Sequence, residues 1–221
     1  MVTSLSTADR KGPRRIEKGP RRITTALLAC AAVLWLAGAG TGLYVVWAYD
    51  NKPGTPAAPP ATFPQDGRVA LATDRPTLVL LAHPQCFCTK ATLAELAEVL
   101  SRARVRPRTY ILFMKPQGFP EGWTDTALWR QASELPDVMV MRDDEGLKAR
   151  EFGAETSGQL VLYDAHGTLL FTGGITGSRG HAGENAGRTA LVGLLNEPGG
   201  DRRTTSVFGC PLFTPAFKAA S

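Results

Sequence analysis

From Ile23 to Tyr49 the chain carries no charged residue, and ITTALLACAAVLWLAGAGTGLYVVWAY is long enough to cross a hydrocarbon core as one helix. Such a segment has to be buried in lipid or in protein, so it organises everything around it. Seven Lys and Arg residues stand in the first 22 positions against Asp9 and Glu17, and a single acidic residue, Asp50, follows the run at once. This asymmetry predicts 1–22 as a basic cytoplasmic tail and 23–49 as a single transmembrane helix of the inner, cytoplasmic membrane. The rest of the chain is then expected in the periplasm or equivalent extracytoplasmic space. A cleaved signal peptide would need a shorter apolar region, about 7–15 residues. Cys30, in LLAC, resembles a lipoprotein acylation site, but the apolar run continues well past it, so it reads as a small residue in the membrane.

The basic tail accounts for the whole formal charge of +5. The remainder is electrically balanced, which excludes a general nucleic-acid footprint on the globular part. Residues 50–67, DNKPGTPAAPPATFPQDG, hold five prolines and little apolar periodicity, and are expected to form an extended, semi-rigid linker. Residues 68–197 form the candidate domain. Residues 198–221 form a tail whose Gly-Gly and charges suggest a surface excursion before Val207, Phe208, Leu212 and Phe213 dock again.

Within the domain the patterns alternate. Strands are predicted at 77–82, 108–114, 138–141, 159–163 and 168–172, and helices at 89–104, 126–135, 144–152 and 185–196. The order predicts an α/β fold with a mixed central sheet and helices on both faces. Leu93, Leu96, Ala97 and Leu100 give the first domain helix a core face, and DAHG around His166 reads as a hairpin turn. The acidic cluster DDE at 143–145 suits a helix N-terminus.

The chemistry concentrates in HPQCFCTKATLAEL, His83 to Leu96, where an apolar strand gives way to a helix. A thiol at a helix start faces unpaired N–H groups and the positive end of the dipole, which favour thiolate. Cys86 is therefore the expected nucleophile, with Cys88 as its partner. The two can bridge only if Cys86 lies in the pre-helical turn and Cys88 near the cap. A disulfide across one intervening residue is strained and easily reduced, so an oxidising or isomerising couple is expected. Cys210 makes the number of extracytoplasmic cysteines odd. It is either a resolving thiol or part of a tail anchor.

The strand ending in a Cys pair that opens a helix, followed by RDDEGLKAREFGAETSGQLVLYDAHGTLLFTGG, resembles the thioredoxin-like superfamily over about residues 68–196. It is similar in particular to membrane-anchored thiol-disulfide proteins of the TlpA/ResA type. The sub-pattern HPxCxCTxA with GGITGSRGHAGENAG and a terminal FGCPL resembles the RedB-like family. The resemblance implies a three-layer thioredoxin-like fold, a catalytic Cys86, and exchange with an extracytoplasmic thiol or disulfide protein, with no cofactor required. Two departures stand out. The family's usual C-x-x-C is C-x-C here, and Gly158 stands where the resemblance would place a cis-proline, so a trans, differently shaped loop is expected.

The glycine-rich GGITGSRGHAGENAGR fits neither dinucleotide nor P-loop spacing. By the topology implied, it returns to the cysteine edge, where Arg179, His181, Glu184 and Arg188 become candidates to line the site. Arg188 and His166 also suit plain surface positions. Cys86, Cys88 and His181, with Cys210 or His83, compose a soft donor set for copper or zinc. Three functions thus stand: thiol-disulfide oxidoreductase, copper- or zinc-binding protein or metallochaperone, and a non-catalytic interaction module of the same fold. Peroxidase chemistry is disfavoured because His83 stands where its threonine would be.

Overall fold

The computed structural model describes residues 19–65, 67–197 and 199–213. The first 18 residues of the basic tail and the chain beyond Phe213 lie outside these. The chain divides into one unit up to Val46 and a second from Trp47 onward. Helix α1 (Gly19–Asp50) runs unbroken through the charge-free segment. Its stretch Arg22–Asp50 is long and apolar enough to cross a membrane.

The second unit is built on a six-stranded mixed sheet. Its strands are β1 (Thr77–Ala82), β2 (Arg108–Lys115), β3 (Val138–Asp144), β4 (Gln159–Tyr163), β5 (Leu169–Gly173) and β6 (Arg203–Thr204), in spatial order β3-β2-β1-β4-β5-β6. β1 is parallel to β2, and β2 to β3; β4 is antiparallel to both β1 and β5. Helix α2 (Phe87–Arg102) connects β1 to β2, α3 (Ala127–Ser133) lies between β2 and β3, α4 (Leu147–Glu151) follows β3, and α5 (Ala186–Asn196) follows β5. A β-α-β unit joined to an antiparallel hairpin and a final helix, with the first strand central, is the thioredoxin-like arrangement.

Every residue of β1 is buried, because helices or chain cover both faces of the sheet. Leu78 and Leu80 join Leu93 and Leu96 of α2 and Leu191 of α5 in one core layer. Val79 and Leu81 point the other way, toward Ala149 and Phe152 around α4. The hairpin turn forms as expected, with the Asp164 carboxylate accepting from the N–H groups of His166 and Thr168 at 2.9 and 2.7 Å.

Several boundaries differ from the sequence expectation. α2 begins two residues earlier, at Phe87. α4 is shorter than 144–152 because Asp143 and Asp144 stay in β3. From there the two oxygens of Asp143 accept from the N–H groups of Lys148 and Ala149 at 2.8 and 2.9 Å, satisfying helix-start donors. The tail contributes the unexpected β6, parallel to β5.

The proline-rich stretch is not a free tether. Ala58 donates to the Gly153 carbonyl at 3.0 Å and Phe63 to Gly167 at 2.8 Å. The Tyr163 hydroxyl donates to the Pro60 carbonyl at 3.0 Å. Phe63 is buried edge-on to Phe152 and Tyr163, with ring centroids 5.7 and 5.2 Å away. Its prolines bring no N–H groups to satisfy, so two backbone donors, one carbonyl and one aromatic ring account for these docking contacts.

Candidate functional site

The site lies where β1 hands over to α2. Cys86 N–H bonds the His83 carbonyl at 3.2 Å, closing the turn, and the Cys86 carbonyl accepts from Thr89 at 3.0 Å, opening the helix. Cys86 is thus the N-cap of α2, with extended backbone, and Cys88 sits in the first turn. Both thiols are buried, each residue being 1% exposed.

The sulfur that Cys86 meets is on the tail: its Sγ lies 2.7 Å from Sγ of Cys210. The geometry therefore pairs Cys86 with Cys210 and leaves Cys88 beside them, where the sequence reading placed Cys88 as the partner. Hydrogen bonding from the Cys210 thiol, then from Cys88, drives the Cys86 thiol far below its ordinary range, against an opposing effect of burial. Cys88 is pushed up, first by its hydrogen bond with Cys210 and then by that with Cys86. Cys210 is pushed up chiefly by its bond to Cys86, with Cys88 and the charge of Arg179 acting the other way. The arrangement favours the anion at Cys86, the N-cap of α2, over an anion at Cys88 or Cys210.

The segment 155–158, leading into β4, seats the tail. Ser157 N–H donates to the Cys210 carbonyl at 2.8 Å and Leu212 N–H to the Glu155 carbonyl at 2.8 Å, around an antiparallel bridge of Thr156 with Pro211. Gly209 allows this approach, since a Cβ there would stand 1.9 Å from the Ser157 carbonyl oxygen. Val207 and Leu212 are buried on either side of the cysteine. The Ser157 hydroxyl accepts from His83 N–H at 2.8 Å and lies 3.1 Å from the Thr89 hydroxyl, tying this segment to both β1 and α2.

Gly158 lies at the same junction, donating to the Leu81 carbonyl at 2.9 Å. Its φ of +92° favours glycine, and no peptide among the described residues is cis. His83 stacks edge-on to Trp123 at 6.3 Å, and its Nδ1 accepts from Gln85 N–H at 3.1 Å, which leaves the proton of the neutral ring on Nε2. Burial lowers its pKa, with the Cys86 charge opposing.

The glycine-rich loop reaches the site, but through Arg179. Its guanidinium donates to the Gly209 carbonyl, next to Cys210, and Gly180 lies against the Phe87 ring between the two cysteines of α2. The loop is anchored by Glu95, a buried acid of α2 that accepts from Gly183 N–H at 2.6 Å and from the Arg188 guanidinium at 3.0 Å. Arg188 is therefore a buried ion-pair partner, not a surface residue. Glu184 is exposed at the rim. His181 is exposed, its Nδ1 2.8 Å from the Arg179 carbonyl. The structure thus does not gather Cys86, Cys88 and His181 into one donor set, and no group of three or more His, Cys, Asp or Glu among the described residues is arranged to hold a metal ion.

No family model matches the chain, and no curated protein does. Solved structures resemble it. A hypothetical protein of Sinorhizobium meliloti is 16% identical, with a TM-score of 0.49 over 75% of this chain and 96% of that one. An uncharacterized conserved protein of Geobacillus kaustophilus is 17% identical, with a TM-score of 0.48 over 75% and 94%. A secreted disulfide oxidoreductase of Mycobacterium tuberculosis is 16% identical, with a TM-score of 0.39 over 64% and 93%. At such identities the likeness concerns the fold alone.

Proposed function

We propose that the chain is a membrane-anchored thiol-disulfide oxidoreductase whose redox pair is Cys86 and Cys210. The observation that carries this is the 2.7 Å approach of the two sulfurs, with Cys86 at the N-cap of a helix. When oxidised, the pair shares a disulfide. Two partner thiols then lose two protons and two electrons, forming their own disulfide, while Cys86 and Cys210 become a dithiol. A stabilised Cys86 thiolate favours the reduced protein, so the couple is oxidising toward its partners. The charge-free helix α1 supports a single-pass anchor, and the basic residues before it support an N-terminus in the cytoplasm and a domain in the extracytoplasmic space of the inner membrane. There thiols meet an oxidising medium. Cys88 is assigned as a buried donor to the pair, and the partner as an extracytoplasmic thiol protein.

The test is equilibration of the intact chain, in detergent micelles, with glutathione redox buffers. A protein losing the mass of two hydrogens, with Cys86 linked to Cys210 in the peptide map, is expected. Cys88→Ser should retain the linkage, and Cys86→Ser and Cys210→Ser should lose it. A Cys86–Cys88 linkage, or no redox-dependent mass change, would sink the assignment.

A further inference from the structure

We propose that Cys210, carried by the tail, is the sulfur that a partner thiol attacks, and that Cys86 works from behind it as the leaving group. The inference rests on the Cys86–Cys210 pairing proposed above and inverts the roles expected from sequence. Three observations carry it.

Access comes first. Cys86 and Cys88 are each 1% exposed, whereas Cys210 is partly exposed. A cleft lined by His83, Phe119, Trp123, Pro211, Leu212 and Phe213 takes in the three tail residues that follow Cys210. A partner can therefore reach Cys210 with the tail still docked, but reaches Cys86 only by lifting the tail away. Lifting it breaks the Ser157–Cys210 and Leu212–Glu155 hydrogen bonds and exposes Val207 and Leu212.

The second is the leaving group. In thiol-disulfide exchange the less basic sulfur departs faster. Cys86 holds the helix N-terminus and hydrogen bonding from Cys88. The groups that act on Cys210 are Cys86 and Cys88 from α2 and Arg179 from the loop, while Glu155, on the segment that seats it, is exposed. Attack on Cys210 expels the better anion into the place built for it.

Retention is the third. Arg179 holds the Gly209 carbonyl, so Cys210 stays seated after its bond to Cys86 breaks. The Nε–H of the same guanidinium is buried with no acceptor among the described residues.

The chemistry balances in two steps. A partner thiolate attacks Sγ of Cys210; the Cys86–Cys210 bond breaks, its electron pair stays on Cys86 Sγ as thiolate, and a partner–Cys210 mixed disulfide forms. A second partner thiolate attacks the partner sulfur of that mixed disulfide, releasing the partner's disulfide. Cys210 departs with the electron pair and takes up a proton.

The oxidised intact chain in detergent micelles is mixed with reduced glutathione, quenched in acid at early times and mapped by mass spectrometry. Glutathione on Cys210 is expected in about tenfold excess over glutathione on Cys86, and Arg179→Gln should shrink that excess. Early adducts mainly on Cys86 would overturn the proposal while leaving the redox pair intact. If no Cys86–Cys210 disulfide forms beforehand, the pairing itself fails, which the starting peptide map reveals separately.

Discussion

Gly209→Ala tests whether the tail, and not the α2 turn alone, makes the redox pair. The new Cβ would stand 1.9 Å from the Ser157 carbonyl oxygen, a backbone atom that cannot swing aside. The tail has to lift locally. Lifting forfeits the Ser157–Cys210 hydrogen bond, about 1 kcal/mol, and much of the burial of Leu212, about 1.5–3 kcal/mol when complete. The docked tail is then disfavoured by about 3 kcal/mol, roughly a hundredfold at 1.4 kcal/mol per factor of ten. Because Cys210 reaches Cys86 only when docked, its effective concentration there falls by the same factor. The disulfide-to-dithiol ratio at a fixed glutathione buffer, read by differential alkylation and mass, should drop by that amount. Gly193→Ala is the matched control: nothing lies within 4 Å of its Cβ position in α5, and the ratio should hold. A Gly209→Ala protein with an unchanged ratio would refute the reasoning, since Cys210 would then be seated by something other than this approach.

Two further outcomes follow from the same structure. The depressed Cys86 pKa means that the reduced fold prefers its thiolate; the stability this contributes is full above the ordinary thiol pKa and is lost as pH falls through the depressed value. Ultraviolet thiolate absorbance of the reduced protein, minus that of Cys86→Ala, should accordingly persist far below pH 8.5, the ordinary thiol value near which an unperturbed cysteine would lose it. Phe63→Ala removes a buried ring wedged against Phe152 and Tyr163, and should lower the unfolding free energy of the domain by about 3–5 kcal/mol in denaturant titration. An unchanged midpoint would mean that the proline-rich stretch is a free tether after all.

What the sequence made legible was whatever repeats locally. β1 and β4 announce themselves as unbroken apolar runs, because both faces of the sheet are covered. The place of Cys86 at a strand-to-helix junction was legible too, because the apolar run of β1 ends just before it. β6 left no such trace: Arg203 and Thr204 are two exposed residues that join the sheet through backbone alone. Arg188 suited either the site or a plain surface position, because only tertiary contact shows that it and the buried Glu95 cancel each other's burial. The sulfur that Cys86 meets lies 124 residues away, and no periodicity spans that distance. Its only traces were an odd count of cysteines and the apolar residues flanking Cys210.

This separation has a thermodynamic consequence. In a redox pair confined to one helix turn, backbone geometry fixes how readily the two sulfurs meet. In the proposed pair one sulfur belongs to the core and the other arrives by docking of a segment, so docking and disulfide formation would be linked equilibria. Each contact that seats the tail, whether Arg179 on Gly209, Gly54 N–H on the Val207 carbonyl at 2.8 Å, or Ser157 on Cys210, raises the effective concentration of Cys210 at Cys86. By reciprocity the disulfide strengthens the docking by the same factor. The Gly54 contact extends this coupling to the proline-rich stretch. A change in that stretch which leaves every cysteine untouched should therefore still move the redox equilibrium, in the direction of the dithiol when Gly54 is lifted from the tail.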